Sequence, residues 1–191
     1  MISRQSDLTE IKNFIKKAIS ELYEKDQYLF ERNKRKGVCE RALVFRFAHY
    51  LQNRIRNFYV DCDFNSSFEG HVFPNGQIVG KERHGKHIEN PDGTVTKRFV
   101  DIIIHKRDFR TQNDLICFEI KKWNNTNIEE ARKDRNNLRV LTTTYGYIYG
   151  FHIILHRNKQ DCKWAIFRAG EILEQESKVF EYEAENKVQT N

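Results

Sequence analysis

The sequence predicts an α+β fold: a central mixed sheet, with an antiparallel meander at its heart, flanked by helices. Apolar residues recur at helical spacing in two N-terminal segments and again after Trp123, marking three amphipathic helices. Short runs rich in β-branched and aromatic residues, at 58–64, 99–104, 115–121, 147–155 and 163–167, read as strands. At 191 residues the chain is long enough for one well-buried core and too short for two full domains, so residues 1–191 are expected to form a single domain.

In chain order, Asp7 is placed to cap the first helix, with Glu10 at its third position as in a capping box. Leu8, Ile11, Phe14, Ile15, Ala18, Ile19 and Leu22 form one stripe, and the pattern continues through Tyr28, Leu29 and Phe30 into a basic run at 32–36. Residues 1–36 are therefore a scaffold helix. In the second helix Leu43, Val44, Phe47, Ala48, Leu51 and Ile55 share a face, and Glu40 points along it near the first turn. Phe58 to Phe64 alternates as a half-buried strand, with Tyr59, Asp61 and Asp63 on the other side, where the two aspartates read first as a solvated face and second as support for a metal site. Residues 65–97 hold five of the nine glycines, both prolines and three of the seven histidines. The Pro74-Asn75-Gly76 and Pro91-Asp92-Gly93 turns make this an insertion of one or two small hairpins. His71, His84 and His87 lack a fourth partner at ligand spacing, which argues against zinc. The last helix is capped at Asn127, with Ile128, Ala131, Leu138 and Leu141 inward and Arg132, Arg135 and Arg139 along a second face. From Glu171 to Asn191 an acidic tail is expected, one short helix and then frayed chain.

The chemistry concentrates between Arg98 and Trp123. In the strand 99–104, Asp101 shares a face with Phe99 and Ile103; in 115–121, Glu119 and Lys121 share a face with Leu115 and Cys117. Two carboxylates and an ammonium thus stand where a plain core has Val or Ile. Burying an unpaired charge costs several kcal/mol, so such a group holds itself by mutual pairing or by a bound cation.

Asp101, a hairpin's length of chain, and then Glu119-Ile120-Lys121 resembles the signature of the PD-(D/E)xK nuclease superfamily. The segment order also resembles small bacterial and phage members: a helix carrying Glu, a strand, a variable loop, the Asp strand, the Glu-x-Lys strand and a helix. Val100 stands where the family name has Pro, a residue that shapes the strand start and carries no reacting atom. The resemblance implies a restriction-endonuclease-like α/β/α core and metal-dependent hydrolysis of nucleic acid. It further implies Asp101, Glu119 and the Ile120 carbonyl as Mg²⁺ ligands (with Mn²⁺ substituting), Lys121 as the catalytic lysine, and Glu40 as the helix carboxylate reaching the site. Asp134 and the Leu138 to Thr142 run resemble the helix that follows Glu-x-Lys in the family. Arg132, Arg135 and Arg139 are then candidate phosphate contacts.

Composition agrees with a polyanionic partner: 33 Lys+Arg against 27 Asp+Glu, a net charge of +6 and a pI near 9.1. DNA is the favoured partner, RNA the second nucleic acid to test, and a homodimer the assembly to test. Cys39, Cys62, Cys117 and Cys162 form no Cys-x-x-Cys pair and read as reduced thiols of a cytoplasmic protein. No apolar run approaches a membrane span. The absence of a Walker loop, a Gly-x-Ser-x-Gly elbow and a Cys–His couple removes most competing enzyme classes. Two alternatives stay open: a non-catalytic nucleic-acid or protein-binding module of the same fold, and a structural salt bridge in an unrelated α+β protein.

Overall fold

The computed structural model describes residues 3, 5–31, 39–64, 66–72, 78–85, 87–89, 95–97, 99–106, 114–124 and 127–180. Helix α1 (Leu8–Lys25) begins as expected, the Asp7 carboxylate accepting the Glu10 amide at 2.8 Å. It stops at Lys25, earlier than its apolar pattern; Gln27–Leu29 is a separate 3₁₀ turn that still buries Leu29. Helix α2 (Glu40–Gln52) follows, and Ile55 lies buried beyond its end. The strands are β1 (Tyr59–Phe64), β2 (Ser66–Val72), β3 (Ile78–Gly85), β4 (His87–Glu89), β5 (Val95–Lys97), β6 (Val100–His105), β7 (Asp114–Lys122), β8 (Tyr149–Leu155), β9 (Lys163–Arg168) and β10 (Glu171–Lys178), with α3 (Ile128–Thr143) between β7 and β8.

Six strands form one mixed sheet in the order β1-β6-β7-β8-β9-β10. All neighbours are antiparallel except β7 and β8, whose parallel pairing requires the crossover that α3 supplies. The insertion folds as two separate hairpins, β2 with β3 and β4 with β5; its proline-glycine turns and the side chains of His71, His84 and His87 lie outside the described residues.

Alternation along the strands splits the core in two. Ile102, Ile104, Ile116, Phe118, Ile120, Phe151, Ile153, Trp164 and Ile166 pack with α1 and α2. On the other face Ile103, Cys117, Ala165 and Phe167 pack with Leu138 and Leu141 of α3. Gly150 makes that second layer close: a Cβ there would lie 3.2 Å from the Leu138 Cβ and 3.3 Å from the Thr142 Cγ2.

Two expectations are corrected. Glu171–Lys178 is a strand, not a helix, and residues 181–191 of the expected tail lie outside the described residues. The strand's charged, mostly exposed side chains suit an edge, and it pairs with β9 through two register shifts. Ile128 does not face inward but is 80% exposed, because it lies in the first turn of α3; the inner face is Asp134, Asn137, Leu138, Leu141 and Thr142. All four cysteines are free, and no described helix is long and apolar enough to cross a membrane.

Candidate active site

The sheet register lines the polar residues up on the α3 face. Ile103 of β6 stands opposite Cys117 of β7, so two residues further along the face Asp101 stands beside Glu119. The β6–β7 ladder ends at Ile102 and Phe118, and past that point the Ile120 amide donates to the Asp101 carboxylate at 2.7 Å. The N–H and C=O of one strand residue point to the same side, so the Ile120 carbonyl is directed toward β6 as well. A side chain has replaced a ladder partner at the place where the strands part.

Glu119 is 4% exposed and accepts a 3.3 Å hydrogen bond from the Asn137 amide of α3. Lys121, two residues on, lies 3.2 Å from the Asp134 carboxylate and 3.7 Å from Glu40. Glu40 reaches the site from the first turn of α2, its second oxygen accepting the Lys122 amide at 3.1 Å. Four elements therefore meet at one end of the sheet: β6, β7, the start of α2 and the inner face of α3.

Four carboxylates surround one lysine, and their electrostatics follow. Burial raises Asp101 from 3.8 to about 6, opposed by the Ile120 amide and Lys121 and helped by Asp134 and Glu40. Burial raises Glu119 well above the carboxylate range, with Asp101 and Asp134 pushing the same way. Lys121 is disfavoured as a cation by burial, yet Asp134 and Glu40 outweigh that and raise its pKa. The lysine is charged at neutral pH, while the two deepest carboxylates resist ionising beside each other. Buried oxygen donors held in that state suit a hard divalent cation, which takes carboxylate and carbonyl oxygens. Among the described residues no three His, Cys, Asp or Glu side chains already gather as an ion cage. Asp101 and Glu40 are engaged with backbone amides, and Glu119 with Asn137.

All four residues expected at the centre, Glu40, Asp101, Glu119 and Lys121, come together. The three arginines divide. Arg132 is exposed and pairs with Glu129 at 2.9 Å, and Arg139 is exposed. Arg135 is half-buried and tied at 2.7 Å to Glu176 of β10. Asp61, expected on a solvated strand face, shares the α3 face of the sheet and pairs with His105 at 2.7 Å.

Sequence reasoning did not place Asn137 or His152 at the site and gave Asp134 no role there. His152 stands directly across from Glu119 on β8, and burial, then the Arg135 charge, pushes its pKa down to about 4. The signal that singled out Asp101, a polar residue inside an apolar run, is equally present at His152 in YGFHIIL, whereas Asn137 stands in the polar stretch KDRNNLRV and carries no such signal.

Comparison with protein families, curated proteins and solved structures finds no match to this chain.

Proposed function

We propose that the protein is a metal-dependent nuclease of the PD-(D/E)xK type that hydrolyses phosphodiester bonds, DNA before RNA. The observation that carries this reading is the convergence of Asp101, Glu119 and Lys121 from two strands with Glu40 from α2, where two buried carboxylates lack the positive charge to balance them. Asp101, Glu119 and the Ile120 carbonyl are the oxygens that would hold Mg²⁺, or Mn²⁺ in its place. A bound divalent cation supplies charge neutralisation at the scissile phosphate and makes an attacking water more acidic.

The chain's own residues do the rest. Asp134 and Glu40 raise the pKa of Lys121 against the opposing effect of burial, so its ammonium is placed to stabilise negative charge developing on the phosphoryl oxygens. Asp134 and Glu40 orient the ammonium from two sides, and Asn137 orients Glu119. Asp134 and Asn137 are positioning residues in this scheme, both carried by α3.

Incubation with plasmid and single-stranded DNA tests the reading. Cleavage is expected with Mg²⁺ or Mn²⁺ and not with EDTA, and Lys121→Met should lower the rate by a factor of at least about 100, a typical loss when a charge-stabilising group is removed. Full activity in EDTA or in the Lys121→Met protein contradicts it. A second reading, a non-catalytic binding module, draws on the two ion pairs that occupy Lys121. It predicts nucleic-acid binding with no cleavage under any metal.

A further inference from the structure

The row of side chains holding the site continues past Glu119. On β8 its register partner is His152, and the next position, on β9, is the small Ala165. His152 is 1% exposed, and both of its ring nitrogens lack a hydrogen-bond partner among the described residues. Leaving a buried polar group unpaired is unfavourable, and every other residue of this strand from Tyr149 to Leu155 is aromatic, aliphatic or glycine. An imidazole is therefore a costly choice here unless something engages it.

Its charged surroundings narrow what that is. The charges bearing on His152 are those of Arg135, Glu176 and Lys121. Glu176 already takes Arg135 and Lys163, and Lys121 is directed to Asp134 and Glu40. What His152 does share is level and face with the two carboxylates: Asp101, Glu119 and His152 lie side by side on three adjacent strands spaced about 4.8 Å apart. A cation held by Glu119 would draw on Asp101 from one neighbouring strand and His152 from the other, side chains that do not already gather around one point.

We propose that His152 is a nitrogen ligand of the divalent-cation centre, so that Asp101, Glu119 and His152 form a mixed oxygen–nitrogen donor set that favours a first-row transition ion such as Mn²⁺ over Mg²⁺. The proposal rests on the metal-centre reading above. Mg²⁺ takes oxygen ligands and draws little from an imidazole, whereas the first-row transition ions bind nitrogen readily, so one histidine shifts selectivity without altering the carboxylates.

The test uses Mn²⁺ alone with the full chain, without substrate. Electron spin-echo spectroscopy of the Mn²⁺-loaded protein is expected to show coupling to a histidine nitrogen, changing isotope when the histidines are labelled with ¹⁵N. His152→Gln, matched in hydrogen-bonding capacity but without an imidazole, should lose that coupling while still binding Mn²⁺. Its preference for Mn²⁺ over Mg²⁺, read by calorimetry, should shrink by roughly tenfold or more. His152→Asn is a second variant should the first not fold. Bound Mn²⁺ that shows no nitrogen coupling in the wild type, or coupling that survives in either folded variant, overturns the proposal and leaves the carboxylate centre standing. Failure of the wild type to bind Mn²⁺ at all overturns both.

Discussion

Asp101 shows how one residue serves two opposed demands. Its carboxylate stabilises the open end of the β6–β7 ladder by accepting the Ile120 amide, yet burial beside Glu119 and Asp134 makes its ionised form unfavourable. A folded-state pKa of about 6 against an ordinary 3.8 means that the native state holds this proton more tightly than the unfolded chain. The stabilisation is fully present below the ordinary value and is lost as pH rises through about 6. Glu119 adds to the same trend, since its pKa is also raised. Asp26 and Glu174, whose pKa values are lowered, act in the opposite direction, so the comparison is between proteins and not across pH alone. In EDTA the melting temperature of Asp101→Asn relative to wild type should climb as the buffer moves from pH 5 to 7.5, because only the wild type loses this contribution. A difference that stays flat or falls over that range contradicts the assignment.

At the scale of elements, α3 is what turns strand residues into a site. Its cap is secure, the Asn127 side chain accepting the Glu129 and Glu130 amides, and its inner face presents Asp134 to Lys121 and Asn137 to Glu119. Gly150 sets the distance at which this happens. Gly150→Ala should destabilise the fold by about 1–3 kcal/mol through overpacking against Leu138 and Thr142. It should also reduce cleavage, though it touches no residue of the site; chemical denaturation with a parallel cleavage assay measures both. The helix shows as well what sequence alone conveys. Its existence, its cap and the charged strand positions were legible, because helical period, capping chemistry and alternation are local properties. The strand at 171–178 was not, since an exposed edge strand lacks the buried alternation that marks an inner one and takes its shape from β9. Glu40 was placed by its order in the chain, but Asn137 meets Glu119 only through the packing of α3 on β7, and His152 stands beside Glu119 only because the crossover delivers β8 next to β7, both tertiary facts.

For the whole molecule, the net charge of +6 favours a polyanion, but only some of the cations are free to meet one. Arg135 links α3 to β10, whereas Arg132 and Arg139 are exposed. Replacing Arg132 and Arg139 with Gln should flatten the log-log salt dependence of DNA binding by roughly one unit for each phosphate no longer neutralised. Replacing Arg135 should lower the melting temperature and leave the slope unchanged. An unaltered slope in the Arg132/Arg139 double variant would make both arginines solvated surface.

Whether the buried carboxylates form a cation centre or a structural salt bridge is decided by melting wild type and Asp101→Asn in EDTA and in Mg²⁺. A centre strained by like charges should gain stability from the ion, about 2.7 kcal/mol at a hundred times its dissociation constant. Asp101→Asn, having lost one repelling charge and one ligand, should melt at or above wild type in EDTA and gain little from Mg²⁺. The opposite pattern, Asp101→Asn melting lower in EDTA and wild type indifferent to Mg²⁺, would mean that Asp101 serves the fold through the Ile120 amide and the Lys121 charge and not through a cation, and the nuclease reading would fall.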